Sequence, residues 1–196
     1  MKVFLTGLSY KTAPVDVRER LAISDSILPE ALDEMRACPG VEDVLILSTC
    51  NRVEIAVGTA GESAAPKILE FLAARNGLEA AWLQPFLYSF EDREAVRHLF
   101  RVAASLDSMV LGEPQILGQL KAAYAAAKDR GAVSGFLDAV LTRAFAVAKR
   151  VRSETEIGRS AVSVSYAAIE LAKQIFGDLR SKTILLVGAG KMSELA

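Results

Sequence analysis

The chain of 196 residues carries 23 Lys and Arg against 24 Asp and Glu, one His, and a formal net charge of −1. Its 52% hydrophobic and 24% charged content can bury enough surface to fold, which excludes disorder, while 13 Gly, 6 Pro and 2 Cys exclude collagen-like and disulfide-scaffold classes. No apolar run reaches the ~18–20 residues that cross a bilayer, and the one in MKVFLTGLSYKTAPV is too short for a secretory signal, so a cytoplasmic chain with reduced cysteines and no membrane partner is expected.

Residues 2–8 (KVFLTGL) predict a strand from their apolar and β-branched content. Helices are expected at 14–22, with Pro14 in the first turn, and at 29–37, stopped by Pro39–Gly40. VEDVLILS (41–48) predicts a largely buried strand, and 53–59 another, with Val53, Ile55 and Val57 on one face at period two. A helix at 64–75, a brief helix at 79–84 and a strand at 86–90 follow. This mixture over 1–92 predicts an α+β subdomain with a small ferredoxin-like sheet and a ββ pair at its centre. Beyond residue 92 the pattern is helical, with segments at 93–105, 114–130, 135–153 and 161–176. Within 143–159, Arg143, Lys149, Arg150, Arg152 and Arg159 outnumber Glu154 and Glu156. A solvated helix face explains this excess as well as a phosphate contact does. The apolar strand expected at 182–187 runs into Gly188-Ala189-Gly190-Lys191-Met192-Ser193. A strand entering G-x-G and a helix start is the opening of a dinucleotide-binding βα unit, although Ser193 replaces the third glycine. One strand cannot make such a domain, so the chain reads as the N-terminal part of a longer protein.

Cys50 lies where an apolar strand gives way to polar residues, the kind of position that borders a cleft. Arg52, two residues on, brings a positive charge that favours thiolate, and Thr49 and Asn51 bring donors for an acyl oxygen. The same residue also reads as a buried structural thiol; Cys38 has no comparable neighbours and reads as structural. His98, the single histidine, sits on a helix near Arg97 and Arg101. It suits proton transfer at neutral pH but equally suits packing. One His and two distant Cys do not form a metal ligand set. In 106–119, Ser108, Glu113, Gln115 and Gln119 stand among apolar residues. Gln115 and Gln119 share a helix face and could read an amine and a carboxylate, or simply be solvated.

Together, Gly7-Leu8-Ser9-Tyr10-Lys11-Thr12-Ala13-Pro14, Leu47-Ser48-Thr49-Cys50-Asn51-Arg52-Val53-Glu54, the Leu106–Gln119 run, Thr155-Glu156-Ile157-Gly158 and the terminal glycine turn resemble the glutamyl-tRNA reductase family. The resemblance implies residues 1–158 as a catalytic glutamyl-tRNA-binding domain (1–92 α+β, 93–158 helical) and 159–196 as the start of a truncated NADPH-binding domain. It implies Cys50 as the nucleophile that takes glutamate from tRNA as a thioester, and NADPH as the hydride donor that releases glutamate-1-semialdehyde, the first step of tetrapyrrole synthesis. It further implies a role for His98 in activity, with a proton source for the leaving ribose oxygen as the candidate role. Thr49, Asn51, Arg52, Ser108, Glu113, Pro114, Gln115 and Gln119 are implied as the glutamate site, with Arg52 as a bidentate fork for its carboxylate. Cofactor contacts are implied at Gly188, Ala189, Gly190, Lys191, Met192 and Ser193. A homodimer formed through a C-terminal domain, and glutamate-1-semialdehyde aminomutase as a further partner, are expected on the same ground. Ala56, Ser105 and Lys191 depart from the usual family residues. The alternative reading is a tRNA-binding module whose Cys50 is structural.

Overall fold

In the structure, a computed structural model that describes residues 1–61, 63–158, 164–183 and 185, the chain opens with β1 (Lys2–Ser9) and the helices α1 (Val15–Leu21) and α2 (Leu28–Arg36). Strands β2 (Val41–Thr49) and β3 (Arg52–Thr59) follow as a hairpin, then α3 (Ala65–Arg75), the short α4 (Ala80–Leu83) and β4 (Tyr88–Glu91). The remainder is helical: α5 (Asp92–Ala103), α6 (Gln115–Asp129), α7 (Gly135–Glu154) and α8 (Val164–Phe176). The strand expected at 86–90 begins two residues late because Pro85 lies in a 3-10 turn over Gln84–Phe86.

The four strands form one antiparallel sheet in the order β2-β3-β1-β4. This is the ferredoxin-like arrangement expected of the first half, although the β2–β3 pair is off-centre, with β2 at the edge. Every residue of β3, and all of β1 except Lys2, is buried. Period-two alternation therefore marks no solvent face on these strands; both faces are covered. Helices α3 and α5 pack on β1, α1 and α7 on β3, and α2 and α6 on β2, so each of these three strands meets one helix from each half of the chain, and α5 packs on β4 as well.

The edge of β2 is closed by Val44, whose N–H donates to the Ala132 carbonyl at 2.6 Å, which removes an unpaired rim. Next to it a register irregularity at Val41/Asp43 turns the fully buried Asp43 onto the start of α7. Its carboxylate accepts from Ser134 N (2.7 Å), Ser134 Oγ (2.9 Å) and Leu137 N (3.3 Å), satisfying two backbone donors at that helix end. At the other edge β4 turns into α5 without a loop. Asp92 takes φ 46° there, and its Oδ1 accepts from Val3 N at 3.1 Å.

Among the described residues no helix is long and apolar enough to cross a membrane. Helix α8 leaves Leu171, Ile175 and Phe176 exposed. The first residues of the helix expected at 161–176 lie outside the described residues, as do Gly188–Ser193 and half of the strand expected at 182–187. Positions 182, 183 and 185 of that strand take no regular structure.

One packing constraint bears directly on the site. Gly7 faces Glu54 in the β1–β3 register, and a Cβ at Gly7 would lie 2.7 Å from the Glu54 Cα and 2.8 Å from its Cγ. Gly7→Ala should cost about 2 kcal/mol through overpacking against backbone; urea denaturation of the variant measures it.

Candidate functional site

Cys50 and Asn51 are the two turn residues of the β2–β3 hairpin, with Thr49 and Arg52 paired across its mouth. Neither turn residue takes a positive φ, so this is not one of the primed turns that usually close two-residue hairpins. The Thr49 hydroxyl compensates by accepting from the N–H groups of Asn51 and Arg52, both at 3.2 Å. Thr49 therefore braces the turn. Tyr10 N donates to the Asn51 carbonyl (2.9 Å) and Arg18 Nε to the Cys50 carbonyl (3.1 Å), fixing the turn from outside. The Cys50 side chain is left free and exposed.

The turn forms one wall of a hollow of about 150 Å³ lined by Thr49, Cys50, Asn51, Arg52, Ser108, Met109, Glu113, Gln115, Ile116 and Gln119. The hollow abuts the first turn of α6, whose N-cap Pro114 supplies no side-chain bond. The positive end of that helix thus lies beside it. The Asn51, Gln115 and Gln119 amides, the Ser108 hydroxyl and the Glu113 carboxylate have no hydrogen-bond partner among the described residues. Glu113 is 7% exposed, and burial pushes its carboxyl pKa up. Polar groups that line a hollow without internal partners are what a polar ligand would satisfy.

Behind Arg52 lies a buried cluster. Oε1 of Glu54, on a side chain 2% exposed, accepts from Arg52 Nη1 (2.6 Å), from His98 Nε2 (2.7 Å) and from the Tyr88 hydroxyl. Arg52 Nη2 also donates to the Asp107 carbonyl. Each terminal nitrogen of Arg52 thus gives one N–H to the protein and keeps one for a ligand. Burial, the largest influence, would raise the Glu54 pKa; the bond from His98, the charges of Arg52 and His98 and the bond from Tyr88 outweigh it and hold the pKa below its ordinary value. Burial and the Glu54 charge push the Tyr88 phenol up, so it remains a donor. The imidazole stacks on Phe90 at 4.8 Å and contacts Tyr88 at 5.5 Å.

The 105–114 loop that carries Ser108 and Glu113 is held at several points. Ser105 takes φ 59°, a conformation that favours glycine, and its Oγ donates to the Glu113 carbonyl at 2.5 Å. The strain of that conformation in a non-glycine residue is thereby compensated by a bond that glycine would lack. Gly112, at φ 83°, sits against Ile157, whose carbonyl oxygen would be 2.5 Å from an added Cβ, and its own carbonyl accepts from Arg152 Nη1 at 3.0 Å. Tyr10 OH donates to the Ser108 carbonyl at 3.2 Å.

The structure thus brings together Cys50, Thr49, Asn51, Arg52, Ser108, Glu113, Gln115 and Gln119. Pro114 starts α6 beside the hollow without lining it. His98 does not line it either; it lies behind Arg52, joined through Glu54, and its outer side borders other depressions. Sequence reasoning assigned no role to Glu54, Tyr88, Asp107, Met109 or Ile116. Glu54 carried a readable signal, since Arg52 and Glu54 two apart on an apolar strand share a face and suggest a buried ion pair. Asp107 lies in a loop with no periodicity.

The family described as "Glutamyl-tRNAGlu reductase, N-terminal domain" matches residues 6–155. The chain is 60% identical to a glutamyl-tRNA reductase of Solibacter usitatus, covering 100% of this chain and 47% of that protein. It is 54% identical to glutamyl-tRNA reductase 2 of Koribacter versatilis, covering 100% of this chain and 44% of that protein. A solved structure, glutamyl-tRNA reductase from Methanopyrus kandleri, superposes with a TM-score of 0.72 at 35% identity, over 98% of this chain and 44% of that one. The chain therefore spans about half the length of the curated relatives it matches.

Two outcomes follow from this geometry. Ser105→Ala keeps the unfavourable φ but loses the bond, and should destabilise by about 1 kcal/mol, whereas Ser105→Gly should be nearly neutral because relieved strain offsets the loss; paired thermal melts compare them. For Glu54 the folded pKa lies below the ordinary 4.5, so the unfolded chain binds the proton more readily. Its contribution is present above that value and fades as pH falls through the folded pKa. Glu54→Gln should lose about 3 kcal/mol at neutral pH by stranding a buried guanidinium, and its stability should fall less steeply with acid; denaturation curves across pH test both.

Proposed function

Since the chain belongs to the family of glutamyl-tRNA reductase N-terminal domains, we propose that Cys50 accepts the glutamyl group of charged tRNA as a thioester. The observation that carries this reading is the exposed Cys50 thiol at the rim of a hollow where the side chains of Asn51, Ser108, Glu113, Gln115 and Gln119 lack hydrogen-bond partners among the described residues.

The thiol sulfur attacks the ester carbonyl carbon. A C–S bond forms, the C–O bond to the terminal ribose breaks, and the thiol proton passes to the ribose oxygen, leaving thioester and uncharged tRNA. A thioester is less resonance-stabilised than an ester and is reduced more readily, so the covalent step divides one hard reaction into two. Glu113 is suited to the substrate ammonium, a cation that would satisfy its buried charge. The remaining N–H groups of Arg52 and the start of α6 favour the substrate side-chain carboxylate. Asn51, Ser108, Gln115 and Gln119 complete the polar contacts. Thr49 acts through the turn that aims Cys50. His98 acts as a positioning residue, holding Glu54 and through it Arg52.

NADPH, when bound, supplies the hydride that reduces the acyl group to glutamate-1-semialdehyde, the entry to tetrapyrrole synthesis. The residues assigned to it, Gly188–Ser193, lie outside the described residues. In this reading residues 1–158 are the catalytic portion and 159–196 lead into the cofactor portion. A homodimer through a C-terminal domain, and transfer of the product to glutamate-1-semialdehyde aminomutase, belong to the longer protein.

Incubation of the chain with glutamyl-tRNA should add one glutamyl mass at Cys50, read by intact and peptide mass spectrometry. Cys50→Ala should remove the adduct and, in the full-length protein, lower reduction by roughly 10³-fold or more. Normal turnover in that variant would refute the nucleophile. Binding of tRNA with no adduct would favour a recognition module instead.

A further inference from the structure

We infer that the groove beside the Cys50 hollow, floored by His98 and flanked by Lys11 and Arg101, is a phosphate site for the sugar-phosphate strand next to the aminoacyl end of the charged RNA. The inference rests on the reading of Cys50 as acyl acceptor. The groove, about 300 Å³, is lined by Lys11, Thr12, Phe90, His98 and Arg101 among others, and ends in Asp107. It shares a wall with the Cys50 hollow. Asp107 lines the groove and Ser108 the hollow, while Arg52 lines the hollow and bonds the Asp107 backbone. Tyr10 bonds Ser108, and Lys11 beside it pairs with Asp107.

The charges point to an anion. Arg101 is exposed and has no hydrogen-bond or ion-pair partner among the described residues. Arg97, one turn earlier on α5, lines an adjoining depression that shares Phe90, His98 and Arg101 with the groove, and among the described residues it pairs only with the solvated Glu94 at 3.7 Å. Lys11 is held below its ordinary pKa by burial and by the charges of Arg52 and Arg101, so the cations crowd one another. An entering phosphate would relieve that repulsion.

His98 specifies the ligand further. It is 7% exposed, and because a carboxylate only accepts, its Nε2 proton is given to Glu54. Among the described residues Nδ1 has no hydrogen-bond partner; Asp107 Oδ2 lies 3.8 Å away. That nitrogen is left to bond a ligand, accepting from a sugar hydroxyl or, when it carries a proton, donating to a sugar or phosphate oxygen. Cations for phosphate beside an imidazole nitrogen within reach of ribose match a nucleotide strand. In the substrate ester the first phosphate lies one sugar away from the reacting carbonyl, which the shared wall accommodates. The depression on the opposite side of the hollow, formed by Ile23, Leu28, Ile46 and Ala122 with Asp25, is lined by no Lys or Arg and offers nothing to a polyanion.

The test measures Cys50 acylation by two donors, glutamyl-tRNA and a phosphate-free 3′-glutamyl-adenosine ester. In Arg101→Gln the ratio of the two rates should fall about tenfold, the effect of one charge-assisted hydrogen bond, and further in Arg101→Glu. The slope of log rate against log salt for the RNA donor should become shallower by about 0.7 for each phosphate that the variant no longer neutralises. An unchanged ratio and slope, with wild-type Cys50 still acylated by RNA, would overturn the groove assignment and leave the acyl-transfer reading intact. Acylation of the wild type by neither donor would instead overturn that underlying reading. A cofactor phosphate as occupant would appear as NADPH slowing the nucleoside donor in the wild type but not in Arg101→Glu, with the donor ratio unaffected, and would refute the RNA assignment.

Discussion

A single buried carboxylate organises this domain. Glu54 lies on a central strand, shielded from water, and an isolated charge there would be severely unfavourable. Arg52, Tyr88 and His98 all donate to one of its oxygens. Those donors come from three elements, β3, β4 and α5, so the charge can persist only if the sheet edge and the following helix are docked. Gly7 supplies the space opposite. The other oxygen, Oε2, is buried without a partner among the described residues; the cluster retains some of its desolvation penalty.

This cluster also separates two surfaces. On one side Arg52 presents its guanidinium to the hollow containing Cys50. On the other His98 turns Nδ1 to a cationic groove. Both residues hold fixed orientations because both are tied to the same atom, which is how a site keeps its geometry on rigid elements. The hollow itself is the opposite case. Its amides, the Ser108 hydroxyl and the Glu113 carboxylate have no partners among the described residues, and burial raises the Glu113 pKa. Such groups reduce stability in the free protein and gain partners when a polar ligand enters.

The loop from Ser105 to Pro114 carries the other half of the hollow, and its shape depends on distant residues. Ser105 holds a left-handed conformation through its bond to Glu113, while Ile157 and Arg152 pin Gly112 from the end of α7. The Thr155–Gly158 segment, far from Cys50 in sequence, is thereby mechanically linked to the residues facing it.

The sequence by itself determined the α+β first half, the helical second half and nearly all the residues that line the hollow. Strand and helix periods are local properties, and short motifs bring chemically matched residues close along the chain. It also placed Cys50 at the end of a strand, where a turn exposes it. Only the tertiary structure decided that β2 is the sheet edge, that Thr49 braces the turn, and that His98 stands behind Arg52 instead of beside Cys50. It alone brought Asp107 and Tyr88 to the Arg52–Glu54 pair. These relations join residues far apart in sequence, and hydrophobic periodicity carries no information about which distant polar groups must meet to satisfy a buried charge.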